Sequence, residues 1–180
     1  MTRAAARRSG ARARAVFVGR FLALFALLAV LGFISDAPRH YADALRVAGT
    51  VTSPLLNGWS LEQRDAAAGQ QEIWFRRGND QLRLALGLQP MALSLLPLLA
   101  LLGATPGLDA RAIALRAALG IAGLFVLDLL VLLLYPWLVG NPNAVTDIVG
   151  TFLGLLTFVG APVILWFVLT YRILREVWRL

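Results

Sequence analysis

The sequence predicts an all-α membrane protein: four transmembrane helices, with a small extracytoplasmic α+β segment, a short helix plus a β-hairpin, between the first and second. Three observations predict it. The 180 residues are 59% hydrophobic and have a mean hydropathy of +0.73, too apolar for a soluble domain whose surface must carry charge. Four runs reach the roughly 20 apolar residues needed to cross about 30 Å of hydrocarbon. The arginines are unevenly shared between the two sides of those runs.

Residues 1–14 form a basic N-terminus with Arg3, Arg7, Arg8, Arg12 and Arg14. The first span, 15–34, holds only Arg20, close enough to its start to snorkel toward the headgroups. A basic stretch before an apolar run also suits a signal peptide. However, the run exceeds the usual ~7–15 residues of a signal's apolar region, and Ser35-Asp36-Ala37 is a poor cleavage site.

The outer segment, 35–83, is too short to bury much core alone and is expected to lean on the membrane. Pro38 suits a first helical turn capped by Ser35 or Asp36, and Tyr41, Ala44, Leu45 and Ala48 recur at helical spacing. Thr50 to Gly69 reads as loop, with Pro54 and Asn57-Gly58. QQEIWFRRGNDQLRLAL then alternates about the turn formers Arg77-Gly78-Asn79-Asp80 and reads as a hairpin. Trp59, Trp74 and Phe75 are expected at the outer headgroups.

The second span is read over 84–104, with Gln89, Pro90 and an internal Pro97. A cytoplasmic loop, 105–116, leads to the third span, 117–138. An outer loop, 139–147, precedes the fourth span, 148–171, and a cytoplasmic tail covers 172–180. Pro97 and Pro162 are expected to kink their helices.

With both termini inside, the cytoplasmic stretches hold eleven arginines, including Arg111, Arg116, Arg172, Arg175 and Arg179, against Asp109 and Glu176 alone. Outside, Arg39, Arg46, Arg64, Arg76, Arg77 and Arg83 are matched one for one by Asp36, Asp43, Glu62, Asp65, Glu72 and Asp80. This is the positive-inside pattern. The formal charge of +7 therefore reports topology and contact with the lipid bilayer, and nucleic acid is excluded as a partner.

Composition also removes chemistries. Without cysteine there is no disulfide, thiolate metal site or cysteine nucleophile, and without lysine no Schiff base or P-loop. The single histidine, His40, lies outside the spans and reads as an interfacial or solvated residue. No metal or cofactor is implied. Ser94 sits in LSLLP, not in a nucleophile elbow.

One acid interrupts the spans: Asp128, in LFVLDLLVLLL. At mid-helix it costs roughly 2.5–3.5 kcal/mol, which leucines returning roughly 0.3–0.6 kcal/mol each offset. It is expected to face the bundle interior and seek a hydrogen bond. Arg116 is ~18 Å away along a helix, so Thr157 and Ser94 are the expected partners. Gly150, Gly154, Thr157 and Ala161 fall within about 60° of helical arc, a small-residue seam expected to pack on the third span. An intramembrane aspartyl protease needs two carboxylates, and a relay needs further buried acids or histidines, so a packing role outweighs proton transfer.

The stretch LGLQPMALSLLPLLALLGATPGLDARAIALRAALG, followed by two more apolar spans, resembles the exosortase H-associated membrane proteins. Ala104-Thr105-Pro106-Gly107 and Arg111 or Arg116 match the family's layout. The resemblance implies a bacterial inner-membrane accessory protein beside an exosortase, a protein-sorting transpeptidase, with no catalysis of its own. The reading is a non-catalytic accessory or assembly protein partnering another membrane protein. The alternative is a small transporter or proton-coupled carrier using Asp128, and a membrane enzyme ranks last.

Overall fold

The computed structural model describes residues 3–53, 58–65, 71–84, 88–140 and 143–178. Its elements run α1 (Arg3–Ile34), α2 (Ala37–Thr52), β1 (Ser60–Asp65), β2 (Gln71–Arg77), β3 (Asp80–Arg83), α3 (Gln89–Ala92), α4 (Leu95–Ala104), α5 (Ala110–Gly140), α6 (Ala144–Leu155), a π-helical turn (Leu156–Gly160) and α7 (Ala161–Trp178). Among the described residues, three helices are long and apolar enough to cross a membrane: Arg14–Ile34, Ala110–Gly140 and Ala144–Glu176.

The second expected span, 84–104, is not a single helix. It is the four-residue α3, a break at Leu93-Ser94, and the ten-residue α4. Pro97 explains the break. It has no N–H to give the carbonyl of Leu93, and its ring would press on that carbonyl, so a helix running through is disfavoured. Placed in the first turn of a new helix, the missing donor is harmless. The chain bridges the gap with tighter bonds, Ser94 N–H to Met91 O and Leu96 N–H to Leu93 O, both 3.2 Å. At the far end, Pro106 forces Thr105 out of helix, to ψ 119°.

Short as it is, α4 packs against α1, α5 and α7. Leu98 and Leu102 are fully buried. Glycines set the approach: a Cβ on Gly103 would stand 3.0 Å from a Leu24 methyl of α1, and one on Gly120 of α5 only 2.8 Å from a Leu98 methyl. Phe17, Leu98, Leu102, Ala117, Leu124, Trp166 and Leu174 form one apolar core. The middle of α1, the length of α4 and the first half of α5 therefore meet α7 there.

A second apolar core joins α2 and the sheet to the later turns of α5, through Leu45, Trp59, Leu61, Ile73, Phe75, Leu84, Met91 and Leu132. The expected α2 forms, with Pro38 in its first turn, and buries Tyr41, Ala42, Leu45 and Gly49. Its buried face thus includes Gly49 rather than Ala44 or Ala48. The expected hairpin also forms, Arg77 pairing with Asp80 across a Gly78-Asn79 turn. Gly78 takes φ +58°, a conformation other residues resist.

Two expectations for this segment change. Ser60–Asp65, within the stretch read as loop, is a strand antiparallel to β2, with Leu61 opposite Phe75. The sheet is therefore three-stranded, in order β1-β2-β3. Phe75 and Trp59 are core residues rather than headgroup anchors, because Phe75 is wholly buried and stacks on Tyr135 of α5 at 5.7 Å. The other loop residues, 54–57 and 66–69, lie outside the described residues. The charge balance noted in the sequence is spatial: Asp36–Arg39, Asp43–Arg46, Glu62–Arg76 and Asp80–Arg77 lie within 3.0–3.8 Å.

The last long helix starts on a capping box, Asn143 accepting from Val145 and Thr146 while Thr146 Oγ1 accepts from the Asn143 N–H. Pro162 does not simply kink it. The preceding five residues widen into the π turn, in which the Ala161 N–H reaches Leu156 O. Such a bulge takes the carbonyls out of the path of the proline ring.

Candidate functional site

The buried stripe of α5 runs at four-residue spacing: Gly120, Leu124, Asp128, Leu132, Pro136. Leu124 belongs to one apolar core and Leu132 to the other, so Asp128 lies where they meet. Ser94 follows Met91 of one core and precedes Leu98 of the other. Thr157 likewise adjoins Phe158 of one and precedes Ala161 of the other. All three sequence-predicted residues are buried, with 0–1% exposure. They mark a polar waist between two oily layers.

The expected bonds among them are not the ones formed. The Tyr41 hydroxyl donates to Asp128 Oδ2 at 2.6 Å, across 87 residues of sequence. Ser94 Oγ donates instead to Met91 O at 2.7 Å, inside the α3–α4 break. Asp128 Oδ1 and Thr157 Oγ1 are buried with no hydrogen-bond partner among the described residues. The reason for the substitution is the packing of α2 on α5. Gly49 lets Leu132 within 2.9 Å of where its Cβ would be, and the Tyr41 ring stands edge-on to Phe125 at 5.7 Å. The outer helix thereby carries a phenol down to the carboxyl group.

Burial, and then the bond to Asp128, raise the Tyr41 pKa well above the ordinary phenol value. It therefore remains a proton donor. The bond from this phenol to the carboxyl group ties α2 to α5. Nor do the described residues include three His, Cys, Asp or Glu positioned to share a metal ion.

No family model, curated protein or solved structure matches this chain. The site is therefore read from its own geometry.

A second polar contact, which the sequence reading did not single out, lies at the other end of the bundle. The Trp166 indole N–H donates to Thr105 Oγ1 at 2.8 Å, and Thr105 Oγ1 donates to Leu101 O at 2.7 Å. Phe17 stacks on Trp166 at 5.7 Å. Arg116, expected in a loop, lies in α5 and sends Nε to Leu169 O of α7 at 2.9 Å. These contacts give the Ala104-Thr105-Pro106-Gly107 stretch a packing role: a helix end that is also an acceptor for α7.

The small-residue seam is divided. Its Thr157 and Ala161 end is buried, at 1% and 5% exposure. At its Gly150 and Gly154 end, an added Cβ would meet nothing within 4 Å. The expectation that the whole seam packs on the third span therefore holds only for its inner half, because α6 does not bring its glycines against a neighbour.

Proposed function

We propose that this chain is a non-catalytic accessory or assembly protein of the bacterial inner membrane, crossing it four times with both termini in the cytoplasm. Its partner is another membrane protein, and the family resemblance names an exosortase-type transpeptidase. The second crossing is made by α3 and α4 together, and the antiparallel meeting of α1, α4, α5 and α7 in one core supports that path.

The observation that carries the assembly reading is the open half of the α6 seam. Gly150 and Gly154 stand four residues apart on one face with space beside both. A helix facing only lipid gains nothing from glycine, and each one costs about 1 kcal/mol of helix propensity relative to alanine. A helix that receives another backbone closely does gain from it. Elsewhere in the bundle, Gly103 and Gly120 do receive a neighbouring leucine.

The test is co-purification from native membranes in mild detergent, with an exosortase co-expressed. Gly150→Leu combined with Gly154→Leu is expected to reduce partner recovery about tenfold, equivalent to about 1.4 kcal/mol, while the isolated chain is no less stable. Undiminished recovery would exclude the seam as the contact. A wild-type chain that brings down no membrane protein would exclude the assembly reading.

The second reading, a small proton-coupled carrier, is favoured by the unpartnered Asp128 Oδ1 and Thr157 Oγ1. It predicts Asp128-dependent solute or proton flux in liposomes, which an accessory protein lacks.

A further inference from the structure

Four threonines of these helices share a habit that the buried Thr157 lacks. Thr50, Thr52, Thr105 and Thr170 each donate to the carbonyl four residues back, at 2.6–2.9 Å. Thr157 is as buried as Thr170, yet its hydroxyl has no partner. In a helix, that back-bond is the default resting place of a buried threonine hydroxyl. Its loss leaves both a donor and two lone pairs uncommitted.

Two further sources of uncommitted oxygen lie on the same level. Asp128 Oδ1 is buried without a partner, its sister oxygen being held by Tyr41. Pro162 has no N–H, so the carbonyl of Thr157, five residues back, or of Phe158, four back, loses its usual helical donor. The π turn packs against α5. Phe158 shares its core with Phe125, Leu129 and Leu132, the residues that bracket Asp128 on α5.

Every one of these groups is an oxygen, and one can carry a full negative charge. Oxygen-only donor sets suit hard cations rather than transition metals. A carboxyl group beside an irregular turn of a long apolar helix, with freed carbonyls, is the arrangement in which membrane proteins hold Na⁺. The cation would also offset the charge of a carboxylate otherwise buried among leucines.

We propose that Asp128 Oδ1, Thr157 Oγ1 and a carbonyl released at the π turn form a binding site for a small alkali cation, Na⁺ in the first instance. The site goes beyond the assembly role and does not depend on it. Occupancy ties α5 to the last long helix as Tyr41 ties α5 to α2, so the cation acts as a second clamp on the waist.

The experiment is thermal unfolding of the full chain in detergent or nanodiscs, with NaCl replaced stepwise by choline chloride at constant ionic strength and pH. The expected result is a saturable rise in Tm of about 5 °C or more at a hundredfold excess over Kd, smaller with K⁺ than with Na⁺. Asp128→Asn keeps an acceptor for Tyr41, and Thr157→Val keeps the shape of the threonine. Both are expected to fold and to lose the Na⁺ response, whereas Thr157→Ser retains it. A Tm indifferent to Na⁺, or a response that persists in folded Asp128→Asn and Thr157→Val, overturns the proposal. If either variant does not fold, ²³Na relaxation on the wild type decides: no broadening by the protein also overturns it.

Discussion

Phe75→Ala is expected to destabilise the outer segment by about 3–5 kcal/mol, the usual range for deleting a fully buried aromatic ring. Phe75 is wholly buried, at the centre of the sheet, opposite Leu61 on one side and Leu82 on the other. Its ring stacks on Tyr135 of α5, whose hydroxyl donates to Arg83 O at the end of β3 at 2.8 Å. Truncation therefore loosens both the sheet and its seat on the bundle. Hydrogen exchange of the wild type and the variant should show protection falling in β1, β2 and β3, with α4 and the first half of α5 unchanged. Those elements share a different core. Uniform loss of protection through the whole chain would mean that the two cores unfold as one.

That prediction rests on a segment only partly legible in the sequence. The hairpin was readable because its turn residues are explicit and its flanks alternate. β1 was not. SLEQRD holds a single apolar residue, Leu61, and becomes a strand because β2 offers it an edge and Phe75 a packing partner. Aromatics near a span end commonly anchor at the headgroups, which is the role that sequence alone suggests for Trp59 and Phe75. What hid their burial was a tertiary contact: the sheet lies against the later turns of α5, where Leu132 and Tyr135 give it a floor.

In the bundle, hydropathy found the apolar runs but not their breaks. The stretch 84–104 is long and apolar enough to read as one span, and Pro97, which suggests a kink, is the residue before which the helix stops and restarts. At the waist, Asp128 was conspicuous because it stands alone in leucines. Its partner was not, since Tyr41 reads as one more apolar-face residue of an amphipathic outer helix, and nothing local encodes a bond spanning 87 positions. The seam was legible as a pattern, but which half of it finds a neighbour depends on where α6 lies relative to α5, a tertiary fact.

The bond between Tyr41 and Asp128 yields the second large expectation, best measured as a double-mutant cycle. Among the described residues, Tyr41→Phe removes the hydrogen-bond partner of a buried carboxyl group whose other oxygen has none there. It is expected to cost about 1–3 kcal/mol, the desolvation penalty of a buried polar group left unpaired. Asp128→Leu strands the buried Tyr41 hydroxyl and is expected to cost a similar amount. Making both changes removes donor and acceptor together. The double variant should then be less destabilised than the sum of the singles, by about 0.5–3 kcal/mol of coupling. Asp128→Asn leaves an acceptor in place and, with Na⁺ replaced by choline, should fall near the wild type in the same unfolding assay. The cycle also separates roles. If the carboxyl group is a tie, Asp128→Asn keeps partner recovery and Asp128→Leu loses it as α2 lifts from α5. If it is a proton carrier, Asp128→Asn abolishes flux in liposomes although the fold is intact. Strict additivity of the two single changes would show that the phenol and the carboxyl group do not meet in the folded protein, and the waist would then need another explanation.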